Sequence, residues 1–502
     1  MFPFSVHSRF SYFSFFSNDL VSLLPEIFLV CCICLFLVHG VVFSKTGRIL
    51  STNVANLSIL ALVFVCILLC CSPGGNYLAA YSCFFEDDFI RIIKVFLLLT
   101  CIFCVTLSLF YIQLEKSNTF EYSVLLLISL FGIIAVLGAN DFLSLYLGLE
   151  LQALSFYTLA ANVRVSEFAT EAGLKYFVIG AVASGFYLFG ASLLYGFTGC
   201  VRFSDFSLLL SHIAPAEVEG IFLAFFIFFS SFLFKVGAVP FHAWVPDVYE
   251  GTSLNVTAIF ALLPKLALFG VITRLLFCYF FSLFDVWQFP FVLCAVFSFV
   301  WGSLAALGQG RIKRLLAYGG ISHSGYLLFG VCSGTVYGAQ GVVIYLLSYI
   351  LSGVTIFCSL VGLRFSRVRY IADFAGLSLF SPGVAFAIAA SLLSAAGIPP
   401  VVGFFGKLSI FLSALAGSLY VGALFGVLCS VISTFYYLRI LRTIFFENGS
   451  RPLGAFFSFF GSYFSKELSF LVGFCAVLLF WIPINPRILF FISFYSSIGL
   501  IG

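Results

Sequence analysis

Apolar runs of about the length that crosses a bilayer core, roughly twenty residues, follow one another along almost the whole chain, with polar residues gathered in the gaps between them. They fall near 20–43, 54–72, 90–112, 121–138, 141–161, 172–197, 219–243, 253–279, 286–308, 312–333, 339–363, 380–417, 420–446 and 467–494. Each is too long and too evenly apolar for a barrel strand, so the pattern predicts an all-α integral membrane protein of about fourteen transmembrane helices. The long twelfth run contains Gly397, Pro399 and Pro400 and is expected to be a broken helix.

Placing the loops alternately on the two faces tests this count, because one face should be enriched in Lys and Arg. Odd-numbered loops carry Lys45, Arg48, Lys116, Arg164, Arg311, Lys313, Arg314, Arg364, Arg367, Arg369, Arg439, Arg442, Arg451 and Lys466. Even-numbered loops and the termini carry only Arg9, Arg91, Arg202, Arg274 and Arg487. The asymmetry supports an even number of spans, with odd loops on the negative side and both termini on the positive side.

Composition narrows the class further. With 62% hydrophobic and 9% charged residues, no segment is polar enough to fold as a soluble domain. The 16 cysteines lie mostly inside apolar runs and read as small hydrophobes. The Cys101/Cys104 pair has no second pair or histidines to make a metal or redox centre. Sixty-nine Phe against a single Met suggest T-rich codons and an organellar gene. The first residues, rich in Phe and Ser, lack a basic segment and cleavage site and are expected to form an interfacial segment.

Five lysines remain outside the loops. Lys94 and Lys175 lie within a turn or two of a helix end; Lys94 reads as a snorkelling anchor, while Lys175 is equally compatible with burial. Lys235, Lys265 and Lys407 sit about 12–20 Å from either end of their spans, too deep to snorkel together. A charge at such depth costs roughly 2.5–3.5 kcal/mol and by default marks an ion or proton pathway. Glu150, about 13 Å beyond Asp141, joins them. A structural ion pair with one of the lysines is the alternative for it.

Lysine suits proton transfer because a buried amine can give up its proton, whereas arginine cannot. Moving a carboxylate from about 4 to 8 Å from a lysine changes their attraction by about 2 kcal/mol, enough to switch proton affinity by roughly 1.5 units. His323, among small residues in mid-span, reads equally as a relay or as a hydrogen-bonded core histidine. His242, Asp247 and Glu250 belong to a turn, and Glu26 is expected to face water near the end of the first span. FKVGAVPFHAW, with Lys235, Gly237 and Pro240, and AGIPPVVGFFGK, with Gly397 and Lys407, predict breaks at matching positions of two halves, the mark of inverted-repeat transporters.

Together LGLELQALSFYTLAA, SEFATEAGLKYFVIGA, FLFKVGAVPFHAWVPDVYEG, IKRLLAYGGISHSGY and AGIPPVVGFFGK resemble the subunit-2 family of proton-pumping NADH dehydrogenase, respiratory complex I, from about residue 22 to 446. PEIF, HGVVFS and RYIADF look closest to mitochondrially encoded members. The resemblance implies an antiporter-like fold with discontinuous helices 7 and 12 and a mid-membrane proton path through Glu150, Lys235, Lys265 and Lys407, with His323 as a less secure relay. Gly237 departs from the serine of many members, and GTSLNVT from a more proline-rich loop.

The expected division is 1–120, an N-terminal segment with helices 1–3; 121–279, the first repeat; 286–446, the second, inverted repeat; and 447–502, a loop and helix 14. With no GxGxxG after a strand and no iron–sulfur cysteine set, the resemblance places NADH, FMN, iron–sulfur clusters and ubiquinone in partner subunits. The partners it implies are other membrane-arm subunits, including neighbouring antiporter-like ones, and lipid, not nucleic acid. The expected location is the mitochondrial inner membrane with odd loops facing the matrix. A sodium/proton antiporter, or a plastid or bacterial homologue, is the alternative.

Overall fold

A computed structural model of the chain describes residues 22–43, 48–72, 75–115, 119–163, 165–210, 218–363, 369–447 and 466–501. The expected interfacial segment, residues 1–21, lies outside them, as do Lys45, Lys116, Arg164, Arg364, Arg367 and Arg451 of the charge count.

Eleven long helices come first: α1 (Leu24–Val42), α2 (Arg48–Cys71), α3 (Asp88–Glu115), α4 (Glu121–Gly138), α5 (Phe142–Ala160), α6 (Glu167–Thr198), α7 (Val218–Val236), α8 (Leu254–Arg274), α9 (Phe284–Leu307), α10 (Ile312–Cys332) and α11 (Val336–Gly362). Two half-length helices, α12 (Pro382–Ala396) and α13 (Val402–Ala416), replace the twelfth run. Then follow α14 (Tyr420–Phe445), α15 (Lys466–Ile484) and α16 (Arg487–Ile501). Among the described residues, 13 helices are long and apolar enough to span a membrane; α12 and α13 supply a further crossing between them.

Besides shifts of a turn or so at the starts of α2 and α6, two boundaries differ from the sequence reading in a way that changes the architecture. The last run, expected to continue to 494, stops at Ile484 and restarts at Arg487, because Pro486 removes a backbone donor and disfavours helix at Asn485. The seventh run ends at Val236, not 243. There Gly237 adopts φ +75, and the chain turns into a short helix, Trp244–Gly251. A two-stranded hairpin between α2 and α3, β1 (Tyr77–Ala79) with β2 (Phe84–Glu86), was not expected.

Helices α4–α8 and α9–α14 repeat one arrangement. A Cβ added to Gly132 of α4 would lie 2.7 Å from Gln152 N and 3.0 Å from Gly148 O of α5; at Gly302 of α9 it would lie 2.7 Å from Ser322 N and 3.0 Å from Tyr318 O of α10. Both helix pairs therefore close to backbone contact at matching glycines. Antiparallel bridges join Asp141 to Arg202 and Arg311 to Tyr370, at the starts of α5 and α10. Each unit contains five crossings, an odd number, so the second enters the membrane from the opposite face: the first bridge joins even loops, the second odd ones. This is an inverted repeat.

The most deeply enclosed crossing is α8, whose residues from Asn255 to Arg274 are all buried. Its apolarity all round fits a central helix.

Candidate functional site

The two helix breaks shape the site in the same way. Gly237 N–H donates to Leu233 O and Phe234 O, and Ala238 N–H to Leu233 O; Gly397 N–H donates to Leu393 O and Ser394 O, and Ile398 N–H to Leu393 O. Gly397 has φ +79. These left-handed glycines end α7 and α12 with their last carbonyls partly unpaired.

At the first break, Trp244 Nε1–H donates to Phe234 O at 2.9 Å. The indole thus occupies a helix-end acceptor and leaves the Lys235 ammonium facing a cavity of about 30 Å³ lined by Gln152, Tyr157, Tyr176, Trp244 and Pro264 among others. That volume suits about two waters. Glu150 of α5 is half-buried, its Oε1 has no hydrogen-bond partner, and its charge acts on Lys235.

Lys265 lies on α8 directly after Pro264. Proline has no N–H for Phe260 O, four residues back; the Tyr249 hydroxyl takes that place at 3.2 Å, and the Tyr349 hydroxyl donates to Ala261 O at 3.0 Å. The Lys265 side chain, 4% exposed, crosses to α10 and donates to Gly320 O at 2.5 Å, with its Nζ 5.2 Å from the Tyr349 ring centre. Any side chain at Gly320 would collide with it, since a Cβ there would lie 2.8 Å from Lys265 Nζ.

His323 stands between Lys265 and Lys407 and feels both charges. Its Nδ1 is 2.6 Å from the Tyr345 hydroxyl and its Nε2 3.4 Å from that of Tyr437. At the second break Lys407 donates to Ala396 O, the end of α12, at 2.6 Å, so the ammonium meets the negative pole of a half-helix. Its Nζ also lies 5.2 Å from the Tyr326 ring centre. A cavity of about 10 Å³, room for one water, touches Lys407, His323, Tyr345, Tyr349 and Ser394.

Other expectations fared differently. Lys175 is exposed and pairs with Glu171 at 2.9 Å and Asp247 at 3.0 Å, which settles it at the interface. Asp247 and Glu250 bind Arg314 at 3.0 and 2.9 Å, and Glu250 also binds Arg311. His242 packs beside Trp301, their ring centres 5.6 Å apart, and is placed by the turn at Pro240. Lys94 is no snorkelling anchor: it is 1% exposed and contacts both Glu26, at 2.7 Å, and Glu86. Glu26, expected to face water, is held by that pairing. The tyrosines went unnoticed, although Tyr345, Ser348, Tyr349 and Ser352 recur at helical spacing in an otherwise apolar run and mark one polar face.

Residues 139–433 match the family described as NADH:quinone oxidoreductase/Mrp antiporter, transmembrane. The chain belongs to this family. It is 42% identical over 86% of its length, and 88% of the relative's, to NADH-quinone oxidoreductase subunit N of Parvibaculum lavamentivorans. It is 39% identical to NADH-ubiquinone oxidoreductase chain 2 of Marchantia polymorpha, covering 86% of this chain and 90% of that one. Among solved structures, a chain of respiratory complex I from Thermus thermophilus with bound aureothin superposes with a TM-score of 0.78 at 26% identity, over 93% of this chain and 98% of that one.

Proposed function

We propose that this chain moves protons across the membrane as an antiporter-like subunit of the membrane arm of an NADH:quinone oxidoreductase, driven by quinone reduction in partner subunits. One observation carries the reading: Lys265 and Lys407 are buried and hydrogen-bonded to backbone carbonyls, Gly320 O and Ala396 O, with no carboxylate paired to either among the described residues. A buried ammonium without a counter-ion is expensive. A neutral amine can keep the same donor bond, so each site tolerates loss of its proton.

Glu150, Lys235, Lys265 and Lys407 form the path, with His323 a relay between the last two. Water-sized cavities at Lys235 and at Lys407 with His323 support exchange at those points. The matched glycine contacts and bridges support units at 121–279 and 286–446, flanked by 1–120 and 447–502. The partners are other membrane-arm subunits, including antiporter-like neighbours; NADH, FMN, iron–sulfur clusters and ubiquinone belong to partner subunits of the complex. The likeness to the Marchantia chain and the charge asymmetry support a mitochondrial inner membrane with odd loops facing the matrix.

The test is Lys235→Met in the fully assembled complex. Proton pumping should fall about tenfold, equivalent to about 1.4 kcal/mol on the barrier, while assembly persists. Unchanged pumping would make the chain a spacer. Sodium-dependent exchange by the chain alone would favour a free-standing antiporter, the other activity named in its family.

A further inference from the structure

On the face of the even-numbered loops, α1, α3, α8 and the β1–β2 hairpin enclose a second group of ionisable side chains that the lysine path does not use. Lys94 of α3 holds two carboxylates at once, Glu26 Oε1 at 2.7 Å and Glu86 in direct contact. Asp87, between β2 and α3, is 2% exposed. Its Oδ2 lies 3.8 Å from Arg274 Nε, beyond hydrogen-bond range, and its Oδ1 is buried with no partner. Arg274 is already engaged elsewhere: Nη1 donates to Leu137 O at 2.9 Å and Ala139 O at 3.3 Å, and Nη2 to the Tyr279 hydroxyl at 3.2 Å.

Among the described residues, three carboxylates thus face two cations. With all ionised, one negative charge stays uncompensated around the buried Asp87, a costly state that one bound proton removes. Glu26 Oε2 and Asp87 Oδ1 are both buried without a partner, but Lys94 touches Glu26 and Glu86 directly and favours their ionised forms, whereas the cation nearest Asp87 stands off at 3.8 Å. We propose that Asp87 holds an exchangeable proton and is the even-side terminus of the proton path. This rests on the proton-translocating reading above.

Placement supports it. Arg274 follows Lys265 by nine residues on the same helix, about 13 Å along α8, so the cluster lies between the lysine line and the even face. The side chains of Glu26 and Glu86 are 13% and 12% exposed, giving the buried acid a rim that touches water. The groups facing Asp87 are Arg274, Cys278 and Tyr279 from α8 and its following turn, Glu86 from β2, and Asp88 from α3. Asp88 is itself paired with Arg91 at 3.2 Å and accepts from the Tyr495 hydroxyl at 2.9 Å. Burial pushes the Asp87 carboxyl up to about 6, Arg274 opposing and Glu86 and Asp88 adding.

Asp87→Asn in the assembled complex decides the matter, because asparagine copies the shape and neutrality of the protonated acid. The complex should assemble with unchanged thermal stability, pump several-fold more slowly, and lose the response of pumping to even-side pH near 6. Asp87→Glu should restore that response. In infrared difference spectra, a protonated-carboxyl C=O band present in the unmodified complex should vanish in Asp87→Asn. A destabilised complex would show Asp87 to be an ionised partner of Arg274 and overturn the proposal, as would a persisting band or an unaltered pH profile. Lys235→Met, measured alongside, separates the two readings: normal pumping there defeats the lysine path, whereas the infrared band reports on Asp87 alone.

Discussion

Lys94, Lys265 and Lys407 are buried and Lys235 is half-buried, and the four differ in what they touch. Lys94 has two carboxylates within contact distance, an arrangement that holds a fixed charge. Lys265 and Lys407 have carbonyl oxygens and aromatic faces, and Lys235 a small cavity. Replacement by methionine should separate the classes. Lys94→Met strands Glu26 and Glu86 and should cost about 3–5 kcal/mol, seen as lost assembly on native gels. Lys265→Met strands no charge; it should leave assembly intact and abolish pumping. Equal assembly in both variants would refute the distinction. The burial of Lys265 and Lys407 was legible in sequence because both fall inside long apolar runs, whereas Lys235, read as mid-span, stands one residue before the end of α7. The fate of Lys94 was not legible, since Glu26 reaches it from 68 residues away.

At the level of elements, the two breaks share a glycine followed three residues later by a proline, Gly237 with Pro240 and Gly397 with Pro400, and this much could be read in the chain. What each break does with its freed carbonyl could not. Lys407 takes Ala396 O itself, while Trp244 takes Phe234 O and leaves Lys235 unengaged. Trp244→Phe removes the indole donor and leaves Phe234 O with the 3.2 Å bond from Gly237 N–H alone, the loss of one hydrogen bond worth about 0.5–1.5 kcal/mol. Lys235 is within the same last turn and should swing onto it. The expected result is therefore slower pumping with less than about 1 kcal/mol lost, measured as melting of the assembled complex beside proton transport. Full pumping with a large drop in melting temperature would contradict this.

Across the whole molecule, Asp247 and Glu250 from the first repeat meet Arg311 and Arg314 from the second, and Lys175 joins from α6. This network ties the halves together at the odd-loop face. Burial alone would raise the Asp247 carboxyl, but hydrogen bonds from Lys175 and Arg314 outweigh it and hold the group below its ordinary value. Its stabilising effect is therefore present at neutral pH, persists down to about pH 3.9, the ordinary aspartate value, and is lost as pH falls further. These side chains are more than a third exposed, so Asp247→Asn should cost no more than about 1 kcal/mol at pH 7 and nothing in strong acid. Thermal melts across that range check it; an equal loss at both extremes would deny the charge a part. Sequence alone determined the membrane class and the succession of about fourteen apolar runs, because hydrocarbon thickness and helical rise are properties of any chain. It also carried the likeness to the antiporter family. Only the tertiary structure decided which lysine meets a carboxylate and which a carbonyl, because those partners come from helices distant along the chain, and their distances depend on how the helices pack.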